Sequence, residues 1–554
     1  MSRVKVSPVA VLRGYRWLLP ALLVGVILPV AVAGLSGNLT IPHNDAWSYS
    51  RIARTFGLTG EIHLSSWNRS ALLGQIVVLG PLARSLLVQQ LFVAALGTLL
   101  LLSVFELLRR RVGNRAAGLV AVGVACWPGF ALLTTSYMAD IPAAATAVAS
   151  VWVGELALRR DRRWLFVLAL LLGLWSCTIR LQSIAAPVAL IAWALLRPRR
   201  AADGSSVRVN RAVAVVGAVV FGVFFAAFTV WQSSLPNGDP ASFAVPADWF
   251  GVVTGDTVKG FYETALVAGP VALIAGKPWT WRWPSWAAAA AIAAAGVIAA
   301  VVFGRDFFLP NYLSQSGAYG VVFPPVRVQF SDHSWWLVIG FAIAMGAVLA
   351  GAIAASRPQL GSVLALFTIL TLLGTAATAV LGQSVFGRYL IPLLPGLFAL
   401  VLRPRARDAR RTSERSAPIR DGMGRLRVPV VLVGAATLAA TGLLSGALAA
   451  NAWANDRARW NVGVQAAAAG VPSDRIDAGF EWMGWFSPNG VIQAHPTSGF
   501  GHEGMFSTSP YCVVTVPSPM PSNVWTLREE VPYRNYLVAG LAHLYVYDTH
   551  APGC

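Results

Sequence analysis

The 554-residue chain is 56% hydrophobic and 12% charged, and apolar runs of about 20 residues recur along it, which excludes a soluble globular domain and a disordered chain. Its formal net charge of +19 would suit a nucleic-acid partner, but the arginines stand in clusters after alternate apolar runs. The excess is therefore the positive-inside bias of a polytopic membrane protein, and no nucleic acid is expected.

The first apolar run, 16–35, follows Arg3, Lys5, Arg13 and Arg16, the charge pattern of a signal peptide. It lacks a small-residue cleavage site and is read as a membrane span. A first external loop, about 36–86, then opens with His43-Asn44-Asp45-Ala46-Trp47-Ser48-Tyr49. Asp45, Tyr49, Ile52, Ala53 and Phe56 recur at helical spacing, so an interfacial helix is expected with Asp45 facing the membrane body. An acid beside lipid is costly and marks a functional site; the bland alternative is a helix cap. The same loop holds Arg69 in Trp67-Asn68-Arg69-Ser70.

Spans 87–108 and 116–134 follow, separated by Arg109-Arg110-Arg111 and Arg115. The turn Ser136 to Pro142 returns the chain at the external face and carries Asp140, which functions there or simply caps the helix that Pro142 starts. Spans 142–158, 164–180, 182–197 and 212–231 come next, with Arg180 at an external end and Arg159 to Arg163 and Arg197 to Arg211 at cytoplasmic ones. External loops near 232–260 and 304–334 flank spans 261–277 and 286–303; Lys259, Arg305 and Arg327 there are weaker cationic candidates. Spans 335–356, 360–381, 389–402 and 429–449 complete about thirteen helices. Arg388 precedes the twelfth, and nine arginines between Arg403 and Arg427 precede the last. The bias puts the N-terminus in the cytoplasm and the C-terminus outside, in a plasma or inner membrane.

The expected organisation is thus an all-α membrane module over 1–449 and a small α+β extracytoplasmic domain over 450–554. In that tail Asn451 to Ala469 reads as helix, and Cys512 to Val516 and Leu544 to Tyr547 read as strands. Cys512 and Cys554 are a disulfide candidate in an oxidising compartment, against two unpaired thiols. Aromatics in Phe480 to Phe486 and Pro510-Tyr511 suit sugar rings or a small core. All seven histidines fall in external segments without metal-ligand spacing, and His43 stands two residues from Asp45, near enough to tune it.

Arg69, Arg180 and Arg388 lie on an otherwise arginine-poor face, where the positive-inside bias gives them nothing. A guanidinium fork suits phosphate oxygens, whereas each arginine alone could be a snorkelling side chain. The order and sidedness of Asn44-Asp45-Ala46-Trp47-Ser48-Tyr49, Tyr137-Met138-Ala139-Asp140-Ile141-Pro142 and Arg388-Tyr389-Leu390-Ile391-Pro392-Leu393-Leu394-Pro395 resemble the glycosyltransferase C superfamily over residues 16 to about 402. That superfamily includes protein O-mannosyltransferases, the lipid A aminoarabinose transferase and arabinosyl- and mannosyltransferases of actinobacterial envelopes. The Ala-, Gly- and Arg-rich composition also resembles actinobacterial proteins.

The resemblance implies a polyprenyl-phosphate sugar as donor and a hydroxyl of an envelope glycan, glycolipid or protein as acceptor, with transfer at the external face. Asp45 would then be the general base, and Arg69, Arg388 and Arg180 would bind the donor phosphate. Asp140 would orient the acceptor, hold a divalent metal, or pair with an arginine; a divalent metal is the cofactor left open. One base and no second nucleophile imply inversion. The rival reading is a lipid or solute transporter or flippase; a noncatalytic scaffold would be indifferent to loss of Asp45.

Overall fold

The computed structural model describes residues 13–65, 73–196, 211–236, 244–276, 278–319, 329–356, 362–402, 424–488, 506, 509–521, 524–538 and 540–554. Among them, eight helices are long and apolar enough to cross a membrane, and five shorter apolar helices accompany them. The chain is an integral membrane protein. Each of the thirteen expected spans coincides with one of these helices, but the shorter five fall below full bilayer length and do not establish thirteen crossings.

The first helix, α1 (Leu19–Leu35), contains a π turn at Leu23–Ile27. The first external loop folds as α2 (Ala46–Thr59), α3 (Gly74–Leu79) and a short 3-10 turn. The apolar stripe of α2 faces inward as expected, with Tyr49, Ile52 and Ala53 buried. α4 (Leu86–Val112) and α5 (Asn114–Ala125) then form a hairpin. The expected continuous span 116–134 is broken: α5 stops before Cys126, and α6 (Phe130–Thr134) starts afresh. The cause is Trp127-Pro128-Gly129, since proline withholds a backbone donor and Gly129 takes φ +90°. A Cβ at 129 would lie 2.4 Å from the Tyr312 ring, so glycine here also admits that ring.

α7 (Asp140–Arg160) is the central helix, buried on nearly every face. It is apolar all round, as a bundle-core helix must be, and its alanines let α8 (Arg163–Ile179) approach closely. Ser150 and Ser176 reinforce the seam by donating to the Ala169 and Ala143 carbonyls. Toward its C-terminal end Glu155 pairs with Arg111 and Arg159, so part of the positive cluster is neutralised within the fold. α9 (Ala185–Leu196) packs on α7 and α8, and α10 (Arg211–Ser233) lies outside them with its apolar surface almost wholly exposed.

α11 (Trp249–Ala275) begins well before the expected 261, absorbing much of the loop placed at 232–260. α12 (Trp283–Phe303), α13 (Asp332–Ala355) and α14 (Val363–Val380) follow. A 3-10 segment at Gly387–Leu393 leads into α15 (Leu394–Val401). The last span and the expected tail helix are one rod, α16 (Gly424–Ala468), of 45 residues. At 1.5 Å per residue it is roughly 68 Å long, about twice the bilayer's apolar thickness, so about half of it extends beyond the membrane.

Beyond α16 lie β1 (Ile476–Asp477), α17 (Phe480–Phe486), β2 (Val513–Val516), β3 (Thr526–Arg534) and β4 (Leu541–Asp548). The sheet order is β1-β2-β4-β3, parallel between β1 and β2 and antiparallel elsewhere. The expected strands are β2 and part of β4; β3, rich in charge and mostly exposed, carries no clear alternation. Cys512 and Cys554 are joined as a disulfide, Cα atoms 5.4 Å apart, while Cys126 and Cys177 are buried thiols. The aromatic run of α17 is core: Phe480, Trp482 and Met483 are buried.

Candidate functional site

Four of the expected residues meet at the end of the bundle that carries the first loop. Asp45 stands at the N-cap position of α2, yet its side chain makes no capping hydrogen bond. Asp140 sits in the first turn of α7, where the helix dipole favours a negative charge. Arg180 occupies the extended residue that breaks the chain between α8 and the following 3-10 turn. Arg388 lies in the 3-10 segment before α15 and is buried. Arg69 and Arg327 lie outside the described residues; Lys259 rests over the Phe303 ring and Arg305 pairs with Asp332, away from this centre.

Arg388 links the two carboxylates. Its Nη2 donates to Asp45 Oδ2 at 3.3 Å, and its Nε lies 3.3 Å from Asp140 Oδ1 without hydrogen-bond alignment. Arg180 donates to the same Asp140 oxygen. Arg388 Nη1 and Asp140 Oδ2 are buried without a hydrogen-bond partner among the described residues. Of the three roles expected for Asp140, pairing with arginine is the one the geometry contains. The centre does not fit a divalent cation, because guanidinium groups already answer the carboxylates, and no cluster of three or more His, Cys, Asp or Glu occurs among the described residues.

Aromatic rings wall the charges in. The Arg180 guanidinium lies 4.3 Å from the Tyr389 ring centroid, and that of Arg388 lies 4.4 Å from Phe386. Burial raises the Tyr49 phenol well above its ordinary value, with Asp140 and Asp45 adding to the effect and Arg180 and Arg388 opposing it. Burial does the same to Tyr312. Both phenols are therefore neutral donors at physiological pH. Neither Tyr312 nor Glu263, buried against Gly387, was signalled by sequence; a Cβ at 387 would lie 2.0 Å from Glu263 Oε1, so only glycine permits this approach.

Backbone strain gathers here too. Asn44, Asn311 and Tyr319 are among the non-glycine residues with positive φ, and Asn44 Nδ2 donates to Asn311 Oδ1 at 3.4 Å. Such conformations cost about 1–3 kcal/mol each and persist where surrounding contacts over-determine them.

The segment before Asp45 is tied to the tail. His43 is buried and contacts Asp456 Oδ2 at 2.7 Å and the Asn38 carbonyl at 3.0 Å, so it turns from Asp45 toward α16. Arg459 bridges Asp456 and Glu481, and the Asn44 amide donates to Glu481 Oε1 at 3.3 Å. Burial raises Glu481, with Arg459 opposing. The contacts of His43 with Asp456 and of Asn44 with Glu481 join residues more than 400 positions apart, and nothing local in the sequence announces them.

A narrow pocket with a cavity volume of about 30 Å³ descends from the charged centre between α7 and α14. Asp140, Arg180 and Arg388 lie at its head. Ala143, Ala144 and Ala147 form one wall, and Phe367, Thr371 and Thr375 the other. From Asp140 to Ala147 the helix drops about 10 Å toward the membrane interior.

No family model matches the chain, and no curated protein matches it. Among solved structures it is similar to ArnT from Cupriavidus metallidurans bound to undecaprenyl phosphate, with 16% identity, a TM-score of 0.40, and coverage of 95% of this chain and 98% of that one. It is also similar to the oligosaccharyltransferase of Archaeoglobus fulgidus in the apo form, with 17% identity, a TM-score of 0.44, and coverage of 80% of this chain and 58% of that one. The archaeal oligosaccharyltransferase AglB from the same organism, in complex with an inhibitory peptide and a dolichol-phosphate, gives 16% identity and a TM-score of 0.42 over 82% of this chain and 58% of that one.

Proposed function

We propose that this protein is a membrane glycosyltransferase. It takes a sugar from a polyprenyl-phosphate donor and moves it to a hydroxyl of an envelope glycan, glycolipid or protein at the extracytoplasmic face. The observation that carries this reading is the pocket itself, which has two guanidinium groups and the Asp140 carboxylate at its head, with Asp45 paired to Arg388 beside it, and a wall of small apolar residues running down α7. A phosphate suits the guanidinium groups at the head, and the alanines offer an apolar surface that suits an isoprenoid chain. A soluble sugar nucleotide would leave the lower pocket unused, and a transported solute would need charges along a path through the bilayer.

In this mechanism Arg388 Nη1 and Arg180 hold the donor phosphate by charge-assisted hydrogen bonds. Turning Arg388 toward that phosphate loosens its contact with Asp45 and turns that carboxylate oxygen to the acceptor hydroxyl. Asp45 takes the acceptor hydroxyl proton as the acceptor oxygen bonds to the anomeric carbon. The bond from that carbon to the phosphate oxygen breaks with its electron pair going to the lipid phosphate, whose added charge the arginines stabilise. One displacement inverts the anomeric centre. Tyr49 and Tyr312 are neutral donors placed to orient sugar hydroxyls, and Asp140 holds both arginines in position.

Purified protein in nanodiscs, supplied with polyprenyl-phosphate sugars, tests this. Asp45→Asn is expected to lower transfer by about 100-fold or more while still binding donor; full transfer by a folded Asp45→Asn protein removes Asp45 from the role of base. Passage of a solute into liposomes without any donor consumption would favour the transporter instead.

A further inference from the structure

One buried acid near the centre has no part in the displacement described above. Glu263, on α11, is 1% exposed and does not line the pocket beneath Asp140. No lysine, arginine or histidine answers it among the described residues, and its Oε2 has no hydrogen-bond partner there. Burying an acid in this way is costly, and an apolar side chain would fill the same volume at less cost. The carboxyl group therefore calls for a role besides filling space.

Its contacts supply one. A Cβ at 387 would lie 2.0 Å from Glu263 Oε1, 2.7 Å from Cδ and 2.9 Å from Oε2, so the whole carboxyl group rests on the Gly387 backbone. The Leu309 backbone N–H donates to the same group. One turn earlier on α11, Gly260 admits the same two segments: a Cβ there would lie 3.1 Å from the Leu390 side chain and 3.4 Å from that of Leu309. Two chain segments thus close on one turn of α11, and the Glu263 carboxyl touches both.

Each segment carries groups of the centre. The first runs from Gly387 into Arg388, which donates to Asp45, and Tyr389, whose ring centroid lies 4.3 Å from the Arg180 guanidinium. The second runs from Leu309 into Asn311, whose side chain accepts from Asn44, and Tyr312, whose ring packs on Gly129. Asn311 holds φ +103°, a conformation that persists only where neighbouring contacts enforce it. We infer that Glu263 is a positioning residue: by gripping Gly387 and Leu309 it fixes Arg388 and Tyr312 relative to each other and sets the arginine for a lipid phosphate. It touches no substrate, and it acts by preorganisation, since a guanidinium already in place needs no ordering when the ligand arrives. This role rests on the transferase reading, which supplies the phosphate.

The test titrates full-length protein in detergent micelles calorimetrically with farnesyl phosphate, and with farnesol as the uncharged counterpart. The ratio of the two affinities isolates what the guanidinium groups contribute, because packing of the apolar chain is common to both. Glu263→Met keeps a long side chain but removes the acceptor; it is expected to lower the ratio about tenfold with farnesol affinity unchanged. Glu263→Gln keeps an acceptor oxygen and should stay within about twofold of the unaltered protein. Gly387→Ala, which drives a Cβ against the carboxyl, should also lower the ratio, and in a Glu263→Ala background it should cause no further loss, because groups acting through one contact are not additive. A Met variant that keeps the ratio, a Gln variant that loses it as Met does, or losses that add in the double substitution would overturn the inference and leave the transferase reading standing. No preference for farnesyl phosphate in the unaltered protein would instead remove the lipid-phosphate reading, and the role of Glu263 with it.

Discussion

At the level of single residues, Arg388 governs the electrostatics of the centre. It is buried, it faces Asp45 and Asp140 at 3.3 Å each, and two of its nitrogens, Nε and Nη1, have no hydrogen-bond partner among the described residues. A lysine keeps the charge but not the planar fork, so Arg388→Lys is expected to fold yet lose donor binding in the nanodisc assay. Asp140 is different, because it answers two guanidinium groups at once. Asp140→Ala leaves both without their shared carboxylate, and removing one partner of a buried pair costs about 3–5 kcal/mol; thermal unfolding of the purified protein reads the loss directly. Sidedness made these residues findable from sequence, since an arginine on the external face has no topogenic use. Tyr312 and Glu263 carried no such signal. Each looks like an ordinary loop aromatic or a stray acid until folding places Tyr312 over Gly129 and Glu263 against Gly387. Arg69, an equally good candidate by sidedness, lies outside the described residues.

At the level of elements, the contact that matters is α2 against α17. Trp47 is fully buried among Phe480 and Phe506, with ring centroids 5.9 and 5.2 Å away. Gly484 makes room for it, since a Cβ there would lie 2.3 Å from the indole. Arg51 adds hydrogen bonds to the carbonyls of Gly484, Ser487 and Pro488. Trp47→Ala should therefore cost about 3–5 kcal/mol, the usual loss for a buried tryptophan. The expected sign is faster amide exchange across both α2 and α17, with the bundle helices unchanged. His43 positions the segment that ends in Asp45, so His43→Ala is expected to lower kcat about tenfold with donor KM unchanged, the signature of a group acting only at the transition state, and His43→Asn should restore part of it. The sequence showed α2 through its stripe, because that pattern is local. The break at Trp127-Pro128-Gly129 was also written locally, but apolar length obscured it. The fusion of the last span with the tail helix was not, because hydropathy changes at residue 450 while the backbone hydrogen bonding does not.

For the molecule as a whole, sidedness and the tail bond can be tested together. Charge clustering predicts an external C-terminus. The two buried thiols, Cys126 and Cys177, are inaccessible to polar reagents, while Cys512 and Cys554 are bonded across a sequence separation of 42. In intact cells a membrane-impermeant maleimide is expected to leave the protein unlabelled, and to label it after mild reduction with an impermeant phosphine. Labelling only after the membrane is opened would reverse the proposed orientation, and labelling without reduction would mean the bond is absent. By loop-closure entropy, a bridge over such a separation stabilises the tail by about 4 kcal/mol. Because the hairpin of β3 and β4 holds the membrane module through Asn535 to Gln329 and Tyr536 to Asn451, a tail loosened by Cys554→Ser should also release the outer end of α16. That end carries Asp456, the partner of His43. Transfer activity should therefore fall in the Cys554→Ser protein although the substitution is remote from Asp45; undiminished activity with a demonstrably unfolded tail would show that the bundle holds Asp45 without it.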